Sequence, residues 1–180
     1  MSTIVSPGGH PDRVRLIVSD VDGVLTDGRI TFDDQGGETK SFHVRDGSGV
    51  KYALRAGVGF AVITGRRSPI VDRRMAELGV EDVTQGARDK SPAFEELLAR
   101  KGLRADETAY VGDDLVDLPI LRRVAFAVAV PDAVAEVREA AHYVTACAGG
   151  RGAIREVVEI VLRARGRWED IVARYREDTP

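Results

Sequence analysis

The apolar run Leu16-Ile17-Val18 ends, one serine later, in Asp20-Val21-Asp22-Gly23-Val24. A strand buried on both faces of a sheet reads as a continuous apolar stretch. The segment therefore sets two carboxylates two residues apart at the point where a buried strand surfaces. Like charges this close raise each other's pKa unless a cation lies between them. A hard divalent cation answers that need, and Mg²⁺ commonly takes one or two carboxylates and leaves its other positions to water and phosphate. Acids at strand ends also serve as turn residues, so the pair gains meaning only from its companions.

Two further runs supply them. Ala61-Val62-Ile63 ends in Thr64-Gly65-Arg66, and Thr108-Ala109-Tyr110-Val111 ends in Gly112-Asp113-Asp114-Leu115-Val116-Asp117. Between them lies Lys90, one of four lysines in a chain that otherwise draws positive charge from arginine. In an open parallel sheet, ligands bind outside the carboxyl ends of the strands. Acid, hydroxyl and acid at three such ends form one constellation.

From Val14 onward, short apolar runs alternate with helical patterns, which predicts an α/β chain with a parallel sheet covered on both faces. The expected strands are Leu16–Asp20, Phe60–Ile63, Asp82–Thr84, Thr108–Val111, Ala125–Ala129 and Tyr143–Thr145. Helices are expected over Gly49–Ala56, Ile70–Leu78, Ser91–Lys101, Leu115–Arg122, Ala133–Ala140 and Ala153–Arg165. Ser91-Pro92 reads as a helix start, a capping hydroxyl followed by proline. Gly79 and Gly102 stand where helix ends favour a left-handed residue. Arg29–Phe32 and Glu38–Val44, around the turn-rich Asp33–Gly37, read as a β-hairpin. Residues 1–13 read as a flexible leader without the hydrophobic centre of a secretory signal. Residues 14–166 then form one domain, and 167–180 a tail beyond the last helix.

Asp20-x-Asp22-Gly23-Val24, Ile63-Thr64-Gly65-Arg66, Lys90 and Gly112-Asp113-Asp114-x-x-Asp117 together resemble the haloacid dehalogenase superfamily of phosphohydrolases, in order and spacing. The resemblance covers the chain from about Arg15 to about Trp168. Phe42-His43-Val44-Arg45-Asp46-Gly47-x-Gly49 and Gly149-Gly150-Arg151-Gly152-Ala153-x-Arg155-Glu156 resemble the branch that acts on 3-deoxy-D-manno-octulosonate 8-phosphate in lipopolysaccharide precursor synthesis. The implied fold is a Rossmann-like parallel sheet with a small hairpin insertion and no cap domain. Spacing agrees: the 41 residues between Asp22 and Thr64 must hold the hairpin, a helix and a strand. A site without a lid needs walls from elsewhere to exclude water, and the resemblance implies a homotetramer whose hairpins and tails reach neighbouring subunits.

The resemblance also implies roles. Asp20 is the nucleophile, forming an aspartyl-phosphate. Asp22 is the general acid and base, and its backbone carbonyl joins Asp20 and Asp113 around Mg²⁺. Thr64 offers a hydroxyl and the amides after it face a phosphate, while Lys90 neutralises nucleophile and phosphate. Asp114 and Asp117 either orient metal waters and Lys90 or simply suit the start of a helix. Asp22, His43, Val44, Arg45, Asp46, Gly47, Lys51, Gly65, Arg66, Arg74 and Lys90 match positions that hold the sugar acid or its phosphate, arginine being suited to carboxylates. Arg74 fits a solvated helix face equally well. Lys51 and His43 depart from the arginine and asparagine usual in this branch.

The bulk properties narrow the alternatives. A 180-residue chain with net charge −3 is long enough for one full core and offers no basic field for nucleic acid. No apolar stretch is long enough to cross a bilayer. The single Cys147 permits no intrachain disulfide, reads as a small buried apolar residue, and suits a reducing, cytoplasmic setting. His10 and His142 read as surface or core filler. The glycines of Gly149–Gly152 read as a loop or as backbone passing close to another surface, such as a subunit interface. Three rivals stay open: a phosphatase of nine-carbon sugar-acid 9-phosphates, a non-catalytic oligomerising relative, and a receiver-like domain phosphorylated without turnover.

Overall fold

The computed structural model describes residues 8–176. Strands β1 (Leu16–Ser19), β4 (Gly59–Thr64), β5 (Asp82–Gln85), β6 (Thr108–Gly112), β7 (Phe126–Ala129) and β8 (Tyr143–Val144) form one parallel sheet in the order β5-β4-β1-β6-β7-β8. The chain builds outward from β1 to one edge through β4 and β5, then returns to build the other edge through β6, β7 and β8. That reversal leaves a crevice at the carboxyl ends of β1, β4 and β6, where such sheets bind ligands. Leu16, Ile17, Val18 and Ser19 are all buried, which is why the segment carries no alternation.

Helices α1 (Val44–Arg55), α2 (Pro69–Leu78), α3 (Lys90–Lys101), α4 (Leu118–Leu121), α5 (Ala135–Ala140), α6 (Ala153–Ala164) and α7 (Trp168–Arg176) cover the sheet. Gly79 and Gly102 end α2 and α3 in the left-handed region, as expected. The start of α3 differs from expectation. Asp89 is the cap, accepting from the Ser91 amide at 3.0 Å, so Ser91 and Pro92 lie inside the first turn. The Leu115–Arg122 helix divides into a 3₁₀ turn over Leu115–Asp117 and the short α4.

Helix α1 begins five residues before the expected Gly49, with His43 as its cap; the glycines of its first turns hide the helical pattern. The hairpin is correspondingly smaller, pairing only Thr31 with Thr39 and Phe32 with Glu38, so β2 (Thr31–Phe32) and β3 (Glu38–Thr39) are two residues each. No separate cap domain is present among the described residues.

Both ends of the described chain pack on the domain. The His10 amide donates to the Ala125 carbonyl at 2.8 Å; Met1–Pro7 lie outside the described residues. The expected tail is in large part helix α7. It buries Trp168 and Ile171, and the Arg155 guanidinium lies 5.2 Å from the Trp168 ring and 4.8 Å from the Tyr52 ring. Residues 177–180 lie outside the described residues.

Asp46, on the first turn of α1, is buried and accepts from the backbone amides of Gly152 (3.1 Å) and Arg155 (2.9 Å). It thereby caps α6 from a different helix, joining elements more than 100 residues apart. Replacing an N-terminal capping side chain by alanine ordinarily costs about 1 kcal/mol, and orphaning buried donors adds to that. Asp46→Ala is therefore expected to lower the unfolding free energy by about 2 kcal/mol, read as a lower urea midpoint at unchanged slope.

Candidate active site

Asp20 immediately follows β1, where its amide donates to the Val111 carbonyl of β6 at 3.0 Å. Its Oδ1 accepts from the Val21 amide at 2.6 Å and its Oδ2 lies 2.6 Å from Lys90 Nζ. Lys90, the first residue of α3, is only 2% exposed and also reaches Asp117 Oδ1 at 2.7 Å. Burial alone would lower the lysine pKa; the Asp20 and Asp117 carboxylates outweigh it and hold the ammonium above its usual value. Burial pushes Asp20 the other way, up to about 6, against the pull of Lys90.

Asp117 is fully buried and saturated. Lys90 Nζ and Tyr110 Oη (2.7 Å) meet Oδ1, and the amides of Asp113 (3.0 Å) and Asp114 (3.2 Å) meet Oδ2. One oxygen each of Asp20, Asp113 and Asp117 lies within 4.8 Å of the others. Four donors already occupy Asp117, so it orders Lys90 and the β6 loop, and of these three acids Asp20 and Asp113 are the better placed to take a cation. Asp114 is exposed and caps its own turn, accepting from the Leu115 amide at 2.7 Å.

Asp113 carries the clearest sign of a missing partner. Its Oδ1 is buried without a hydrogen bond, and burial followed by the nearby Asp20 charge raises its pKa to about 7. A divalent cation held by Asp113 and Asp20 would satisfy that oxygen and relieve the repulsion. Gly23 makes the approach possible: at φ +91°, a Cβ there would lie 2.0 Å from Asp113 Oδ2.

Gly149 is equally constrained. A Cβ on it would lie 1.8 Å from the Gly23 carbonyl oxygen, and the Gly150 amide donates to the Val24 carbonyl at 2.9 Å. The glycine-rich segment thus braces the chain's own Asp20–Asp27 loop. Glu156, held below its ordinary pKa by Tyr143 and the Ala146 and Cys147 amides despite burial, fixes the segment's other side.

Thr64, buried at the end of β4, opens onto the same cleft, and Gly65 and Arg66 follow at its exposed rim. The cleft encloses about 390 Å³ and brings together Asp20, Asp22, Thr64, Gly65, Arg66, Lys90 and Asp113. The Asp22 side chain contacts Lys40 and Arg66, with Arg66 Nε 3.7 Å from its Oδ2. Lys40 escaped the sequence reading because a lone lysine beside a turn carries no pattern.

The remaining expected sugar contacts lie elsewhere on this chain. His43 caps α1 through Nδ1 (3.3 Å from the Arg45 amide) and lines a separate hollow with Ser41, Phe42 and Arg151. Val44, Arg45 and Lys51 are exposed along α1. Asp46 is committed to capping α6. Gly47 is buried against the Arg74 guanidinium, which pairs with Glu77 at 3.2 Å and lies 5.9 Å from the Phe42 ring.

Residues 79–157 match the haloacid dehalogenase-like hydrolase family. The chain is 44% identical over 159 residues to the 3-deoxy-D-manno-octulosonate 8-phosphate phosphatase KdsC of Escherichia coli K12, covering 88% of this chain and 85% of that one. The crystal structure of 3-deoxy-D-manno-octulosonate 8-phosphate phosphatase from Moraxella catarrhalis, in complex with magnesium, phosphate and KDO, superposes with a TM-score of 0.90 at 39% identity, covering 92% and 95% of the two chains. A probable YrbI family phosphatase from Pseudomonas syringae gives 0.92 at 45% identity, covering 93% and 96%. The chain belongs to the haloacid dehalogenase superfamily and, within it, to the KdsC family of 3-deoxy-D-manno-octulosonate 8-phosphate phosphatases.

Proposed function

We propose that this chain is a Mg²⁺-dependent phosphomonoesterase that hydrolyses 3-deoxy-D-manno-octulosonate 8-phosphate to the free sugar acid and inorganic phosphate. The observation that carries the reading is the buried Asp20–Lys90–Asp117 chain beside the unpartnered Asp113 oxygen, at the crevice where three strands end. Kinship at 44% identity to a phosphatase of that substrate supports the choice of ester.

Asp20 attacks phosphorus, and the sugar 8-oxygen leaves with a proton from Asp22. Water then adds to phosphorus, gives its proton to Asp22, and the Asp20 carboxylate departs as inorganic phosphate forms. Little covalent work falls to the protein in phosphoryl transfer beyond positioning and neutralising charge. Lys90 does both, because Asp117 anchors its ammonium beside Asp20. Thr64 and the Gly65 and Arg66 backbone line the cleft and would receive the phosphate oxygens. Asp20, Asp113 and the Asp22 carbonyl would hold Mg²⁺, which supplies charge neutralisation for nucleophile and phosphate.

Sugar recognition and assembly belong to the same proposal. The cleft is open, and Ile30, Phe32 and Val44 expose apolar surface along the hairpin and the start of α1, Phe32 by 61% and Val44 by 74%. We read that surface as the seat of a homotetramer, in which His43, Arg45, Lys51 and Arg74 meet a neighbour's sugar acid. Kinship and the free Cys147 support a cytoplasmic location. No helix among the described residues is long and apolar enough to cross a membrane.

Phosphate release from the eight- and nine-carbon sugar-acid esters tests the function. The expected result is turnover of 3-deoxy-D-manno-octulosonate 8-phosphate, abolished by chelation and restored by Mg²⁺. Asp20→Asn should lower kcat by at least about 10⁴-fold, since a covalent nucleophile has no substitute. Preference for the nine-carbon ester would keep the chemistry and change the substrate; no turnover of either would overturn the function. Light scattering on the native chain should give four subunits, and Phe32→Asp should shift it toward smaller species, because desolvating a carboxylate in an apolar interface is costly.

A further inference from the structure

Beside the cleft, Asp22 and Arg66 enter a charge network with Lys40 and Glu38, two residues that have no assigned role. Lys40 follows β3, yet its side chain is only 1% exposed. Its ammonium contacts Asp22 Oδ1 and lies 3.5 Å from Glu38 Oε1. Arg66 closes the circuit, 2.9 Å from the same Glu38 oxygen and 3.7 Å from Asp22 Oδ2. Each Asp22 oxygen thus faces a cation, one from the hairpin and one from the loop after β4. Burying an ammonium is costly unless carboxylates surround it, so the position of Lys40 is tightly specified by Asp22 and Glu38.

Arg66 is 43% exposed, whereas Lys40 is enclosed. The hairpin itself has only two paired positions, so this network also ties it to the sheet. We infer that Lys40 is a positioning residue for the reaction: its buried ammonium fixes the Asp22 carboxylate at the angle from which it serves both proton transfers. The hairpin thereby becomes part of its own subunit's catalytic apparatus, in addition to any contact it makes with a neighbour. This inference rests on the reading of Asp22 as acid and base.

The two half-reactions separate a positioning role from a structural one. With p-nitrophenyl phosphate, Asp20 forms its bond to phosphorus as the bond to the nitrophenolate oxygen breaks, and that leaving group departs without a proton. In the second step water adds to phosphorus, its proton passes to Asp22, and the Asp20 carboxylate is released. Loss of Asp22 alignment should therefore spare the first step and slow the second. For the sugar ester, whose alkoxide needs a proton, both steps slow.

Stopped-flow measurements on the Mg²⁺-loaded native chain, Lys40→Gln, Lys40→Arg and Asp22→Asn read this directly. The expected result for Lys40→Gln is a nitrophenolate burst of about one per subunit, then steady turnover reduced about 30-fold, a fraction of what a general acid–base group contributes. Sugar-ester kcat should fall at least as far, with KM within about threefold and no burst, the pattern of an interaction made in the transition state. Lys40→Arg, which keeps the charge but moves the donor, should show the same split at smaller amplitude. It also serves as the readout if Lys40→Gln does not fold.

Equal loss in both phases, or no loss, would overturn the role of Lys40. A burst in Asp22→Asn would then leave the acid–base assignment standing. Native behaviour of Asp22→Asn would remove that assignment and this inference together.

Discussion

The buried ion chain from Asp20 through Lys90 to Asp117 governs the architecture of this site. Three charged groups lie almost wholly out of solvent at the centre of the sheet, Lys90 being 2.6 and 2.7 Å from its two partners. Desolvating them is costly, and the cost is tolerable only because every member is met: Lys90 by two carboxylates, Asp117 by four donors, Asp20 by the Val21 amide. One carboxylate beyond this set, Asp113, keeps a buried oxygen without a partner. The imbalance suits the cleft to a cation, since the surrounding bonds prevent the acids from moving apart.

Rigidity follows from the same arrangement. Asp20 and Asp113 stand just past two neighbouring strands, and the Asp20 amide is itself bonded to β6. Asp117 fixes the backbone on either side of Asp113 by accepting from two consecutive amides. Gly149 and Gly150 brace the opposite side of the Asp20–Asp27 loop. A phosphoryl group entering the cleft thus meets groups held by the sheet, which limits reorganisation during the reaction.

Much of this was legible in the sequence, and the reason is periodicity. Each buried strand announced itself as an apolar run, and Asp20, Asp22, Thr64 and Asp113 stood at or just past the ends of three such runs. Lys90 stood out because its place before a helix put it between two of those ends. What escaped was whatever depends on contacts remote in sequence. Asp46 matched a sugar-binding position but caps a helix more than 100 residues away, and no local pattern distinguishes the two uses. The glycines at 149 and 150 signalled a close approach, but only the fold shows that the surface approached is the chain's own catalytic loop. The start of α1 was obscured by Gly47 and Gly49, which weaken the helical signature while admitting Arg74 and α6.

The division between chemistry and recognition follows from where the elements lie. Every group assigned to bond-making stands at the carboxyl edge of β1, β4 or β6 or at the first residue of α3. The candidate sugar contacts His43, Arg45, Lys51 and Arg74 stand on α1 and α2, outside the cleft of the same chain. An ester bound at Asp20 therefore leaves its far end without those contacts unless another subunit brings an equivalent surface. Lys40 lies at the boundary of the two regions, on the hairpin that carries exposed Phe32 yet in contact with Asp22. A neighbour packing on that hairpin would press on the element that orients the acid and base. In a homotetramer built on that hairpin, assembly and proton transfer would share one lever, and subunit contact would alter the rate without touching Asp20, Asp113 or Lys90.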